Sequence, residues 1–225
     1  QTCALPIWRM LMKKGCILCL LISVISLPLI AQNIIYSNLK ELLTQHGDTT
    51  AVLRVEKRSR NQIVLTGGAD YRITAGDDES MCRRLKKRCF AVRDEKGNLY
   101  LNCRKLRYKK LRFGAWYAPA VQLGKNIYFC AMPLGSVIGG NFVEEDDVKL
   151  GGNIGDALAA SSLVTKRVCY ELNGETGKVD FLGKDRMLQL LKNYPELKQA
   201  YLKDDSQEAK HTFKYLLELQ NKQKK

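Results

Sequence analysis

Alternating apolar and polar residues dominate the middle of the chain and predict antiparallel β-hairpins. Three pairs of segments have this pattern: residues 89–93 with 99–103, 115–123 with 127–131, and 167–172 with 179–182. The loop inside each pair carries glycine and asparagine, which adopt tight turns readily. We therefore expect the middle of the protein to be largely antiparallel sheet.

Shorter segments before these hairpins also have the composition of β-strands, with several β-branched residues in each. They are residues 51–56, 62–66 and 71–74. Polar or glycine-containing turns separate them, which is typical of strands in an antiparallel sheet. A short helix precedes them, because residues 38–45 place three leucines on one face behind a capping residue at Ser37.

Helical periodicity replaces the alternation beyond Gly183. Apolar residues recur there at spacings of three or four, with a break at Tyr194 and Pro195. Asp205 or Ser206 is a suitable cap for a last helix. The carboxy-terminal end of the chain is therefore predicted to be helical.

Strands in one block followed by helices in another favour an α+β fold over alternating α/β. We expect residues 32–182 to be mostly β, forming a sheet or a partly open barrel interrupted by a glycine-rich insert at 135–165. Residues 183–225 are expected to form a helical region packed on the same domain.

An export signal is predicted near the start of the chain. A basic head at residues 12–14 is followed by apolar or small residues from 16 to 27, and Ala31 before Gln32 suits cleavage by signal peptidase. The apolar run is shorter than the roughly 20 residues that span a bilayer. We therefore expect residues 12–31 to be a signal peptide, and residues 1–11 to be upstream read-through outside the fold.

The chain is strongly basic, with 37 Lys and Arg against 23 Asp and Glu, and 45% hydrophobic residues supply a core. Cleavage after Ala31 would remove three basic residues and no acidic one, which leaves a net charge of +11. In an exported protein such a charge favours lipopolysaccharide phosphates, anionic headgroups, acidic glycans or acidic proteins as partners. Nucleic acid is a less favoured partner, because export separates the protein from the nucleic acid of the cell.

Two dense basic clusters flank the first predicted hairpin. Their members are Arg83, Arg84, Lys86, Lys87 and Arg88 in the first, and Arg104, Lys105, Arg107, Lys109, Lys110 and Arg112 in the second. The second cluster has Tyr108 and Phe113 interleaved with its basic residues. Two interpretations are open: an anion-binding face where the clusters converge at one edge of the sheet, and a solvated surface that blocks aggregation at strand edges.

The glycine-rich insert carries Gly151, Gly155 and Ala159 at four-residue spacing, which lines small residues along one side of a helix. Such a side permits close approach of another helix or contact with a membrane. A close-packed connection inside the domain and a ligand loop are the alternatives. Residues 144–147 and Asp156 are acidic, which argues against a simple membrane span.

Five cysteines follow the predicted signal, and Cys82 with Cys89 is the pair most easily closed into a disulfide. Cys130 and Cys169 have apolar neighbours, which is more typical of buried free thiols. No Cys-x-x-Cys pair follows the signal and histidine is limited to His46 and His211, so we expect no metal and no cofactor.

Several segments along the chain together carry a family resemblance: residues 97–106, 116–118, 127–129, the glycine-rich insert, 170–172, 176–179, 194–197 and 215–219. This set resembles an exported family of unknown function that is common in Bacteroidales. The resemblance covers most of the chain beyond the signal. It implies an exported location and a layout of sheet plus helices, and it implies no catalytic residue.

These observations favour a non-enzymatic envelope or periplasmic protein that binds anionic partners or assembles with other chains. A hydrolase acting on envelope glycans or lipids is one alternative, with carboxylates, His46 or His211 converging in a pocket. An oligomeric or peripherally membrane-associated structural protein is the other, with the glycine-rich insert as its contact surface.

Overall fold

Antiparallel strands form the frame of the protein, as the alternation predicts. The computed structural model describes residues 32–50, 52–66, 68–108, 111–132, 167–204 and 209–224. Its strands are β1 (Asn33–Tyr36), β2 (Asp48–Thr50), β3 (Arg54–Lys57), β4 (Tyr71–Thr74), β5 (Ala91–Arg93), β6 (Leu99–Asn102), β7 (Arg107–Tyr108), β8 (Leu111–Arg112), β9 (Tyr117–Leu123), β10 (Asn126–Ala131), β11 (Val168–Leu172) and β12 (Val179–Phe181).

Six helices and one 3₁₀ turn accompany these strands in the described part of the chain. The helices are α1 (Leu39–Thr44), α2 (Arg60–Thr66), α3 (Glu79–Lys87), α4 (Lys184–Leu190), α5 (Pro195–Lys203) and α6 (Ala209–Gln223), and the 3₁₀ turn is Cys103–Lys105. In the described residues, three helices follow the last strand, which confirms the predicted α+β class.

Ten of the described strands form one sheet, in the order β12-β11-β10-β9-β6-β5-β1-β2, with β3 paired to β4 and β4 joined to β9 through Tyr71 and Tyr117. All its pairings are antiparallel. The three predicted hairpins are confirmed as β5–β6, β9–β10 and β11–β12. The order has two ends, β12 and β2, so the described strands form an open sheet.

Opposite faces of the sheet carry different cores, because alternate residues of each strand point to opposite sides. One face is continuous and includes Tyr36, Leu101, Ala118, Phe129 and Tyr170. The other face divides into a part beneath α4 to α6 and a part beneath α3 and β4. The first part includes Tyr128, Cys130, Met187 and Leu216, and the second includes Ile35, Tyr100, Ile73 and Leu85.

The prediction of a strand at residues 62–66 is wrong, because these residues belong to α2. Ser59 and Gln62 form a capping box there: Gln62 N donates to Ser59 Oγ at 3.3 Å, and Ser59 N donates to Gln62 Oε1 at 2.9 Å. The buried guanidinium of Arg58 also donates to the Gln62 carbonyl at 2.9 Å. These bonds stabilise a helical start that outweighs the β-propensity of the segment.

The cap of α1 is Asn38 and not Ser37 as predicted. The Asn38 side chain accepts a hydrogen bond from Glu41 N at 2.9 Å, and Glu41 in turn accepts one from Ser37 N at 2.7 Å. The helix therefore begins one residue later than the predicted cap requires, at Leu39.

The cysteine predictions are also wrong. Cys130 and Cys169 form a disulfide, whereas Cys82 and Cys89 are free thiols. Cys130 and Cys169 are direct partners in the β10–β11 register with Cα atoms 4.3 Å apart, a separation that a disulfide bridges. Cys89 is instead fully buried beyond the end of α3, with its thiol 3.1 Å from the Ala91 carbonyl. Proximity in the sequence therefore did not predict the disulfide, because strand pairing brings together two cysteines that are 39 residues apart.

A charged network fastens α4 to the sheet. The Glu171 carboxylate accepts hydrogen bonds from Arg186 Nε and Nη2, each at 2.8 Å, from Tyr128 OH at 2.9 Å and from Asn126 Nδ2 at 2.6 Å. The bonds from Arg186 are the main reason why the pKa of Glu171 is lowered. The ionised carboxylate is thus the form that the folded protein favours.

We expect Glu171→Gln to lower the free energy of unfolding at neutral pH by about 1–2 kcal/mol, because the charge-assisted bonds are lost. Since folding lowers the pKa of Glu171, its contribution is complete above about pH 5 and disappears as the pH falls through the folded-state pKa. Urea unfolding at a series of pH values measures this. The variant should show a smaller loss of stability on acidification than the wild type.

The matched control is Glu175→Gln, which removes the exposed pair between Lys125 and Glu175. Both side chains of that pair are mostly in water, so we expect its removal to leave stability unchanged. Parallel pH profiles for the wild type and Glu171→Gln would contradict the role assigned to the partly buried Glu171 carboxylate.

Candidate anion-binding face

The first basic cluster lies on α3, whose sequence suits a helix with one buried side. Asp78 caps it by accepting a hydrogen bond from Met81 N at 2.9 Å, and Leu85 is fully buried beneath it. Basic residues fill the last turn, where they complement the helix dipole. Arg83, Lys86, Lys87 and Arg88 are exposed, whereas Arg84 is partly buried in an ion pair with Asp48.

The second basic cluster begins in the 3₁₀ turn and continues through the β7–β8 hairpin. Arg104 and Lys105 are exposed in the turn. Arg107 and Arg112 are exposed and are direct partners in the β7–β8 register. Lys109 and Lys110 lie outside the described residues.

Asn102 joins the two clusters, a role that the sequence patterns did not predict. Its buried side chain donates hydrogen bonds to the Leu85 carbonyl at 3.2 Å and to the Cys89 carbonyl at 2.8 Å. Its Oδ1 accepts one from Arg104 N at 3.1 Å. Tyr117 OH also donates to the Leu85 carbonyl, at 2.7 Å. The carboxyl end of α3 and the start of the second cluster are thus held side by side.

The sequence signal for this connection was a polar residue at the end of an otherwise apolar strand, since β6 reads Leu-Tyr-Leu-Asn. A buried asparagine in such a place needs hydrogen-bond partners. Its partners are backbone carbonyls of a helix end, which the sequence does not identify.

The aromatic residues of the second cluster divide between surface and core. Tyr108 is half-buried and packs edge-on against Phe181, with ring centroids 4.9 Å apart. Phe181 is 48% exposed. Phe113 is buried instead, between Phe129 and Tyr170. Phe113 therefore anchors the end of the basic hairpin to the core, and the hairpin borders the partly exposed pair of Tyr108 and Phe181.

We define the basic face as the eight exposed cationic residues of the two clusters that the structure describes. They are Arg83, Lys86, Lys87, Arg88, Arg104, Lys105, Arg107 and Arg112. Among the described residues, no carboxylate oxygen lies within ion-pairing distance of any of the eight. Their charge is therefore available to an external anion.

The two histidines considered for a hydrolase site lie in different surroundings. His46 is exposed, with Nδ1 2.6 Å from the Thr44 carbonyl. His211 Nδ1 lies 2.9 Å from Asp204 Oδ2, next to Tyr215.

The described residues contain no metal-binding group of three or more His, Cys, Asp or Glu side chains. No helix in the described part of the chain has the length and apolar character needed to cross a bilayer.

The predicted assembly residues Gly151, Gly155 and Ala159 lie outside the described residues, as do residues 1–31 with the predicted signal. The compact unit that carries the described strands and helices runs from Gln32 to Lys225.

The geometry defines an α+β protein whose described residues form an open antiparallel sheet followed by three carboxy-terminal helices. A family model described as a family of unknown function, DUF6563, matches residues 34–223. The chain therefore belongs to this family, which confirms the predicted resemblance to a family of unknown function. No curated protein and no solved structure matches the chain.

Proposed function

We propose that this protein is an exported, non-enzymatic envelope protein that binds phosphate-bearing lipid headgroups through its basic face. The observation that carries the proposal is the Asn102 side chain, which holds two basic segments together although α3 and the 3₁₀ turn are separated by a hairpin. Eight cations without a carboxylate partner among the described residues favour an extended anionic surface over a single small anion.

Export is supported by the signal that the sequence predicts at residues 12–31. The partly exposed ring of Phe181 beside Tyr108 also favours a membrane surface as the partner. Tyrosine is favoured at the level of lipid headgroups, and phenylalanine suits the adjoining boundary with the acyl chains. The basic hairpin and the aromatic pair would then contact the same surface.

Replacing Lys86, Lys87 and Lys105 by glutamine should weaken binding to anionic vesicles. Each lysine near an anionic surface contributes about 1 kcal/mol, so we expect a loss of about 100-fold in affinity. Co-sedimentation with phosphatidylglycerol vesicles across a salt series measures it. Wild-type binding should fall as salt rises, because screening weakens exposed charge interactions.

The matched control replaces Lys184, Lys192 and Lys210, three exposed lysines of the helical region, by glutamine. It changes the net charge equally, and it should retain most of the affinity for phosphatidylglycerol. Equal losses in both triple variants would show a response to net charge alone and would overturn the proposed face. Failure of the wild type to bind anionic vesicles, or equal binding to phosphatidylcholine vesicles, would also overturn it.

A further inference from the structure

A cleft of about 330 Å³ lies between the antiparallel pair of β3 and β4 and the turn that joins β5 to β6. Leu53, Val55 and Lys57 line one wall at alternate positions, as side chains on one face of a strand do. The cleft shares no residue with the basic face. Its volume falls at the lower end of the range for small-molecule sites.

The opposite wall is held in place by its own hydrogen bonds. The Asp94 carboxylate accepts bonds from Lys96 N at 3.0 Å, Asn98 N at 2.8 Å, Asn98 Nδ2 at 2.9 Å and Tyr100 OH at 3.3 Å. Asn33 Oδ1 accepts a bond from Glu95 N at 3.1 Å, which ties the turn to β1. A wall with this many internal bonds loses little freedom when a ligand binds.

Two tyrosine rings line the cleft with their centroids 5.0 Å apart and their planes tilted by 58°. Tyr71 belongs to β4 and Tyr100 to β6. Burial is the main cause that raises the pKa of both hydroxyls, so both are protonated at neutral pH. The rings supply apolar faces and the hydroxyls supply polar edges.

The charges around the cleft balance. Lys57 and Lys96 are matched by Asp94 and Glu95, and Asn33 and Asn98 add uncharged amides. The cleft therefore attracts neither anions nor cations strongly, in contrast to the basic face. A wholly apolar ligand would also be a poor match, since it would desolvate these polar groups without satisfying them.

We propose that this cleft binds a neutral saccharide unit, with a ring face against the tyrosines and hydroxyls along the Lys57, Glu95 and Asn98 rim. A sugar ring combines apolar C–H faces with hydroxyls that both donate and accept hydrogen bonds. The cleft combines aromatic faces with ammonium, amide and carboxylate groups, which together supply donors and acceptors. This saccharide site is separate from the basic face. The proposal for the cleft does not depend on the proposed binding of lipid headgroups.

The test is an NMR titration of the isotope-labelled protein with three neutral disaccharides: maltose, cellobiose and N,N′-diacetylchitobiose. We expect at least one of them to shift the amide signals of residues 71 and 94–100 at millimolar concentration. Val55→Trp fills the cleft from its wall and should weaken that binding about tenfold or more. Tryptophan is well tolerated in strands, which favours folding of the variant.

The matched control is Glu56→Trp, on the same strand with its side chain on the opposite face, where Glu56 is exposed beside Arg54. It should retain the wild-type affinity. Lys57→Met is a second test, which leaves the cleft open. It should weaken binding because it removes the ammonium group of Lys57 from the rim. Absence of shifts with all three disaccharides would overturn the proposal. Unchanged affinity in Val55→Trp, or shifts confined to other regions of the chain, would overturn it as well.

Discussion

Replacing both Cys130 and Cys169 by alanine should lower the free energy of unfolding by about 4 kcal/mol. The disulfide closes a loop with a sequence separation of 39, and the unfolded chain gains the corresponding conformational freedom when the bond is absent. For a domain of this size the melting temperature should fall by about 10 °C. Urea and thermal unfolding of the wild type and the double variant measure both quantities.

The position of the disulfide makes the effect large. Cys130 lies one residue before the end of β10 and Cys169 one residue after the start of β11, so the bond joins both strands where residues 133–166 leave and return. Both sulfurs also lie beneath the amino end of α6, 3.7 and 3.4 Å from the Ala209 carbonyl oxygen. Loss of the bond therefore also disturbs the contact between the sheet and the last helix.

The control for this prediction is Cys82→Ala, which removes a free, partly exposed thiol and should change stability little. Adding reductant should bring the wild type close to the double variant and leave that variant unaffected. Identical unfolding midpoints of the wild type with and without reductant would contradict a stabilising disulfide.

Phe129→Ala is expected to cost about 4 kcal/mol of stability, because it empties the centre of the continuous core. The ring is fully buried, stacks on Tyr170 at 5.4 Å and meets the edge of Phe113 at 5.3 Å between centroids. These neighbours belong to β11 and to the segment after β8, so they cannot all collapse into the cavity. Chemical unfolding with an unchanged denaturant slope would identify the loss as one of folded-state packing.

Phe181→Ala is the matched control, since Phe181 contacts Tyr170 at 5.1 Å and yet is 48% exposed. We expect a cost of about 1 kcal/mol there, because much of the ring is already in water. Similar losses for Phe129→Ala and Phe181→Ala would contradict the assignment of Phe129 to the core centre.

Elements whose evidence is local were predictable from the sequence. The hairpins β5–β6, β9–β10 and β11–β12 each combine two β-patterned segments with a glycine-containing turn. The helices after Gly183 have an apolar residue every three or four positions. The error at residues 62–66 was also local: the prediction gave more weight to the β-branched composition than to the Ser59 and Gln62 capping box, which is visible in the sequence and prevails in the structure.

Contacts between distant segments were not predictable in this way. The central pairing of β6 with β9, the pairing of β1 with β5 and the Cys130–Cys169 bond each join parts of the chain that no short-range pattern connects. The same holds for the candidate sites. The basic residues were visible as clusters, whereas the buried Asn102 bridge between them and the tyrosine-lined cleft follow from how the strands are ordered.

The sequence by itself determined the α+β class, the hairpins, the helical end and the basic character, because these depend on residue type and on periods of two or 3.6 residues. The tertiary structure decided the strand order, the disulfide, the joining of the two basic clusters and the cleft. Those features depend on which segments meet in space. Such meetings are selected by the packing and hydrogen bonding of the whole chain, which local patterns do not encode.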